Sequence, residues 1–167
     1  MLVLLVGPKG SGKSHIGRLI ETRLGVPFFH VEPLWMAYHA ACRAEGREPD
    51  LVEGIRRIHP KIVKALAELG SVCVETTGAS REILDDLLRI GEQVGIVRIA
   101  VEAPLDLCLD RIASRDPRHQ IPMDEDGVRT VHRLFEELTF PFDLRLRNVD
   151  LTADEAVGFI QPFIVSA

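Results

Sequence analysis

The sequence predicts an α/β chain built on a parallel sheet, and three observations lead there. The runs Leu2 to Val6, Val72 to Thr76 and Ile96 to Val101 are rich in aliphatic residues with no regular polar alternation. That is the pattern of strands buried on both faces. Between these runs lie segments whose apolar residues recur at helical spacing. The two kinds of segment alternate from end to end, and parallel strands need crossovers that cover both faces of the sheet.

Each element has its own local reason. Leu2 to Val6 is a strand ended by Gly7. Gly12 to Leu24 carries Ile16, Leu19, Ile20 and Leu24 on one helical face, and Gly25 stops it. Val26 to Val31 is short and extended, with Pro27 near its start. Asp50 and Glu53 have capping-box spacing ahead of the seam Leu51, Ile55, Ile58, Ile62, Leu66, Leu69, and Pro60 predicts a kink or break within it. Val72 to Thr76 is the next strand. Ser80 opens a helix over Arg81 to Ile90, and Ile96 to Val101 follows as a strand. Pro104 suits the first turn of a helix reaching about Ser114. Arg115 to Gly127 is polar with two prolines and reads as a loop. Val128 to Leu138 is helical, Leu144 to Asn148 a short last strand, and Thr152 with Glu155 caps a final helix.

The 167 residues, 18.6 kDa, fit one domain with a core large enough to need no disulfide or structural metal. A net charge of −5 argues against a nucleic-acid footprint. Of the 20 basic residues 16 are Arg, read either as compositional bias or as a set of phosphate-gripping forks. Cys42, Cys73 and Cys108 are odd in number and widely spaced, which excludes a disulfide framework and the usual zinc patterns. Cys73 and Cys108 lie in apolar runs as core thiols. No charged leader precedes the first strand and no apolar run reaches 18 residues. The expectation is a cytoplasmic protein, with no membrane partner and either monomeric or homodimeric.

Gly7-Pro8-Lys9-Gly10-Ser11-Gly12-Lys13-Ser14 fits the pattern G-x-x-x-x-G-K-[ST]. Glycines let backbone N–H groups turn inward around phosphate oxygens, and the helix starting near Gly12 points its positive end at the same anion. Lys13 reaches the β- and γ-phosphates, and the Ser14 hydroxyl can ligate Mg²⁺. The motif follows a strand and opens a helix, which is its confirming context. It implies ATP or GTP. No N-K-x-D guanine reader is present, since Asn148-Val149-Asp150-Leu151 does not fit. Asp124-Glu125-Asp126-Gly127 matches D-x-x-G but precedes a helix, so it reads as a false match. The chain is too short for a full AAA-type motor.

With that loop, the Gly17-Arg18-Leu19 to Gly25-Val26-Pro27-Phe28 stretch and the later Arg pattern in view, the chain resembles the shikimate kinase and nucleoside monophosphate kinase-like group. The resemblance implies a P-loop NTPase fold with a five-stranded parallel sheet ordered 2-3-1-4-5. It also implies an acceptor-binding segment, about 33–69, and a short lid, about 115–127. The cofactors implied are ATP and Mg²⁺, and the partner is a small-molecule phosphoryl acceptor.

The site residues follow from motif and resemblance together. Residues Gly7 to Ser14 with His15 hold the nucleotide. Shikimate kinases place two aspartates after the second strand, and here His30-Val31-Glu32 stands there. Glu32 is the first candidate for base and a candidate near Mg²⁺. Glu75, at the end of a strand, is the second, because a carboxylate there points into the ligand crevice. Thr76, Thr77 and Gly78 follow as a turn. Arg111, Arg115 and Arg118 resemble the lid entry, the first stacking on adenine and the others reaching phosphates. Arg111 and Arg115 share a helix face. Asn148 stands where the group touches the adenine edge. Arg43, Arg47, Arg56 and Arg57 are the anion readers available in the acceptor segment. Trp35 and Tyr38 either line its pocket or pack in the core. Lys13, Glu32 and Arg115 are the catalytic set, and Ser14, Glu32 and Glu75 the metal set. The reading is an ATP-dependent phosphotransferase. The alternatives are an ATP-binding regulatory module that hydrolyses slowly, and a slow GTPase.

Overall fold

Even- and odd-numbered residues of the first strand face different layers, and that alternation organises the molecule. A computed structural model describes residues 1–116 and 120–165. It contains β1 (Leu2–Val6), α1 (Lys13–Leu24), β2 (Phe28–Phe29), α2 (Glu32–Ala44), α3 (Leu51–Leu69) and β3 (Val72–Thr76). These are followed by α4 (Arg81–Val94), β4 (Ile96–Glu102), α5 (Leu105–Ala113), α6 (Glu125–Glu136), β5 (Leu144–Arg147) and α7 (Ala153–Val165). The five strands are all parallel in the order β2-β3-β1-β4-β5, as the resemblance implied.

β1 is central and wholly buried. Leu2, Leu4 and Val6 point to one face, where Ile58, Ile62 and Leu66 of α3 and Leu84 and Leu87 of α4 cover them. Val3 and Leu5 point to the other, against Ile16 and Ile20 of α1 and Ile160 of α7. A period of two along the strand thus feeds two cores. Cys73 and Cys108 are fully buried free thiols, as is Cys42.

Several expectations are corrected. The second strand is only Phe28–Phe29, not Val26 to Val31. The residues after it form α2, which the sequence reading left unassigned, although Pro33 sits in its first turn and Trp35, Tyr38 and Cys42 share a face. α3 runs unbroken through Pro60. A proline inside a helix costs ~3 kcal/mol, while burying Ile58, Ile62 and Leu66 returns roughly 1.5–3 kcal/mol each. Pro104 is the N-cap of α5 and lies before its first turn. α4 continues to Val94, four residues beyond the expected Ile90. α6 begins at Glu125, inside the expected loop, because the Asp124 carboxylate accepts from Gly127 N at 2.8 Å. That cap is what the D-x-x-G match is for. The caps at Asp50, Ser80 and Thr152 form as read. No helix of the described residues is long and apolar enough to cross a membrane.

Candidate active site

β1 ends at the sheet's centre, so the loop from Gly7 to Gly12 opens at the carboxyl ends of the strands, where α/β sheets bind ligands. Gly12 is the N-cap of α1 with φ 98°, a left-handed conformation that favours glycine. A Cβ there would lie 2.1 Å from Asn148 Nδ2. Asn148 is buried and donates from Nδ2 to the Ser11 carbonyl at 2.7 Å. Arg111 donates to the same carbonyl at 3.3 Å and to the Asn148 carbonyl at 3.0 Å. The α5 arginine and the residue after β5 therefore brace the loop from behind. Asn148's amide nitrogen and Arg111's guanidinium N–H groups are engaged in that brace, and neither residue lines the cavity described below.

Lys13 is buried and donates to the Pro8 carbonyl at 2.9 Å, so it curls over its own loop. Burial pushes its ammonium pKa down, against the opposing charges of Glu75 and Glu32. Ser14 Oγ donates to Glu75, 2.9 Å from Oε2 and 3.1 Å from Oε1. The pairing Leu5↔Glu75 puts that carboxylate beside β1, as expected. Burial alone would raise the Glu75 carboxyl, but His30, Lys13 and Ser14 beside it hold it below the usual carboxylate range. His30 Nε2 lies 3.2 Å from Glu75 Oε1, close enough to attract but not aligned as a hydrogen bond.

Glu32 is the first residue of α2. Its Oε1 accepts from Lys9 Nζ at 3.4 Å and from the Ile121 backbone N–H at 3.0 Å. One carboxylate thus ties the phosphate loop to the expected lid segment. Its Oε2 makes no hydrogen bond among the described residues. Gln120 is buried, with Nε2 on the Ile112 carbonyl and Oε1 unpartnered.

A cavity of about 290 Å³ joins these groups. Its floor is the loop with Lys9, Lys13 and Ser14. Glu32, Glu75 and Arg115 stand in its wall, and it continues between α2, α3 and α4 past Trp35, Ile62 and Leu87. Several expected residues lie elsewhere. His15 is exposed in the first turn of α1. Arg118 lies outside the described residues. Arg47 is held by Glu45 and Glu53, Arg57 is held by Glu53, and Arg43 and Arg56 are exposed, so none of the four lines the cavity. Tyr38 is buried, its hydroxyl within hydrogen-bond distance of both the Asp50 carbonyl and Glu53, whereas Trp35 lines the pocket. His39, His59 and Met123 also line it and were not singled out from sequence. The signal for His59 was its place beside the apolar seam of α3, next to Ile58 and one turn from Ile62.

Ser14 and Glu75 are hard oxygen donors, and the carboxylate is held ionised, so they fit Mg²⁺. Among the described residues no group of three or more His, Cys, Asp and Glu forms a metal cage. Mg²⁺ commonly takes one or two protein ligands and completes its shell with water and phosphate.

Comparison with known proteins agrees with this fold. The family model described as AAA domain (AAA_33) matches residues 2–138. A shikimate kinase of Salinibacter ruber is 31% identical over 134 residues, covering 77% of this chain and 62% of the relative. The chain therefore spans less than two thirds of that relative's length. The crystal structure of a shikimate kinase from Bacteroides thetaiotaomicron shares the fold with TM-score 0.65 at 16% identity, over 99% of this chain and 98% of that one. A gluconokinase from Sinorhizobium meliloti does so with TM-score 0.61 at 20% identity, over 98% and 93%. The family match runs from β1 through α6 and takes in every residue lining the cavity, and on that ground the chain belongs to the AAA domain family.

Proposed function

We propose that the chain is an ATP-dependent phosphotransferase that moves the γ-phosphoryl of Mg-ATP to a hydroxyl of a small-molecule acceptor. The observation that carries this is the cavity's continuity. A phosphate loop that opens directly into a second, partly apolar chamber has room for an acceptor, which a nucleotide switch does not need.

In this reading Gly7 to Ser14 cradle the triphosphate, and the Arg111 face packs on the base. Lys13 leaves the Pro8 carbonyl for the β- and γ-phosphates. Mg²⁺, held on Ser14 with Glu75, would neutralise charge on the β,γ oxygens. The acceptor oxygen bonds to the γ-phosphorus, the bond to the β,γ-bridging oxygen breaks, and ADP leaves with that electron pair. The hydroxyl proton goes to Glu32, whose Oε2 makes no hydrogen bond among the described residues and lies 3.9 Å from His30 Nε2, while Lys9 and Ile121 hold Oε1. Arg115, in the cavity wall, adds positive charge at the transferring group. Residues 115–127 act as the lid and 33–69 as the acceptor segment of one domain.

The test is ADP release from Mg-ATP with and without acceptor pools, with Lys13→Ala as control. Stimulation of at least tenfold by one pool, in the wild type alone, is expected. A slow rate indifferent to every pool would instead support a regulatory module. Equal rates in Lys13→Ala and wild type would remove the phosphate loop from the activity.

A further inference from the structure

Among the described residues, the acceptor chamber holds its lysine and arginine charges at one end only. Its lining cations are Lys9, Lys13 and Arg115, all at the phosphate end. The part framed by α2, α3 and α4 is walled by Val31, Trp35, Ile62, Ile83 and Leu87. The arginines of the acceptor segment are held by Glu45 and Glu53 or stand exposed, outside the chamber. A carboxylate or second phosphate entering this part would lose its water and, among the described residues, meet no lysine or arginine.

One polar group in that part is firmly oriented. His59 of α3 is buried, and its Nδ1 lies 2.5 Å from Asp86 Oδ2 on α4. The other oxygen of Asp86 accepts from Arg89 at 2.6 Å. A carboxylate accepts, so Nδ1 donates to Asp86 and Nε2 is the ring nitrogen left for a ligand. Nε2 makes no hydrogen bond among the described residues, and His59 lines the chamber.

We propose that the acceptor is an uncharged hydroxyl compound with an apolar body, and that His59, oriented by Asp86, reads one of its hydroxyl or N–H groups. This rests on the phosphotransferase reading and narrows it. It separates this chain from kinases of acidic polyols, whose acceptors carry a charge that no lysine or arginine among the described residues meets in this part of the chamber. Asp86 is a positioning residue, acting through the imidazole.

The experiment uses the full chain with Mg-ATP and four acceptor pools. These are uncharged nucleosides with phenyl-substituted diols, carboxylated polyols such as shikimate and gluconate, nucleoside monophosphates, and aminoglycosides. ADP release and the melting temperature with Mg-ADP are read together. The expected result is stimulation and a melting-temperature rise with the uncharged pool. His59→Gln should then raise the acceptor KM at least tenfold, with a smaller fall in kcat. Asp86→Asn should raise KM less, since its amide oxygen still accepts from Nδ1. Stronger stimulation by carboxylated polyols, monophosphates or aminoglycosides overturns the inference and leaves the kinase reading standing. A melting-temperature rise with the uncharged pool but no turnover supports the chamber's chemistry and overturns the kinase reading. Neither binding nor turnover with uncharged compounds overturns the inference. If His59→Gln does not fold, the wild-type pools alone decide between these results.

Discussion

Gly12→Ala places a methyl group where the protein keeps its loop brace. At φ 98° an alanine is strained, by roughly 1–2 kcal/mol for a left-handed L-residue. The new Cβ would stand 2.1 Å from Asn148 Nδ2. Asn148 is the end of a side chain and can swing aside, but only by giving up its buried 2.7 Å hydrogen bond to the Ser11 carbonyl. Breaking a buried hydrogen bond costs about 1–3 kcal/mol, so the substitution should cost about 3 kcal/mol, a fall of roughly 10 °C in Tm for a chain of this size. Gly25→Ala is the control. Its φ is 72° with nothing within 4 Å of the added Cβ, so it should lose only the conformational part, about 4 °C. The assay is urea or thermal unfolding of the four members of a Gly12→Ala and Asn148→Ala cycle. With Asn148 already truncated, Gly12→Ala should cost no more than Gly25→Ala, giving a coupling on the order of 1–3 kcal/mol. Equal Gly12→Ala penalties in the two backgrounds would refute the brace.

Three further outcomes are expected. A lysine whose folded pKa lies below its ordinary 10.5 binds fewer protons folded than unfolded. Stability then rises with pH between the lowered value and 10.5, and wild type should gain on Lys13→Met across that interval in urea titrations. Parallel pH profiles would count against the burial described for Lys13. All three thiols are buried, and burial pushes those of Cys73 and Cys108 above their ordinary values. Native protein should therefore react slowly with Ellman's reagent and titrate three thiols only in denaturant, and a prompt native thiol would contradict the packing. Asp50→Ala removes the cap whose carboxylate accepts from Glu53 N at 2.7 Å. It should lower stability by ~1 kcal/mol by chemical denaturation, and an unchanged midpoint would show that the cap contributes nothing.

The parts of the fold legible in the sequence were those with a strong local signature. β1, β3 and β4 announced themselves because a strand buried on both faces tolerates few polar residues, and the capped helices because Asp50, Ser80 and Thr152 must stand where they do. α2 was missed because its buried face is thin: only Tyr38 and Cys42 of its residues are fully buried. Pro60 misled because local backbone cost was weighed without the apolar seam that overrides it. At the site, Lys13, Ser14 and Glu75 were placed by motif and strand end. The pinning of Asn148 and the Asp86–His59 pair join elements distant in sequence, with no spacing to betray them. The arginines at 43, 47, 56 and 57 looked available because a sequence does not show that glutamates at 45 and 53 had already engaged two of them.

The brace on the phosphate loop also bears on synthesis. The loop leaves the ribosome before the groups that grip its Ser11 carbonyl, which lie 100 and 137 residues further along. β1 likewise pairs with β3 and β4, both made later. A nascent or truncated chain that ends before Asn148 carries the whole glycine motif without the contacts that set its shape. The shape of the glycine motif therefore depends on translation having run past Asn148, and a premature stop before that residue is felt at the phosphate loop.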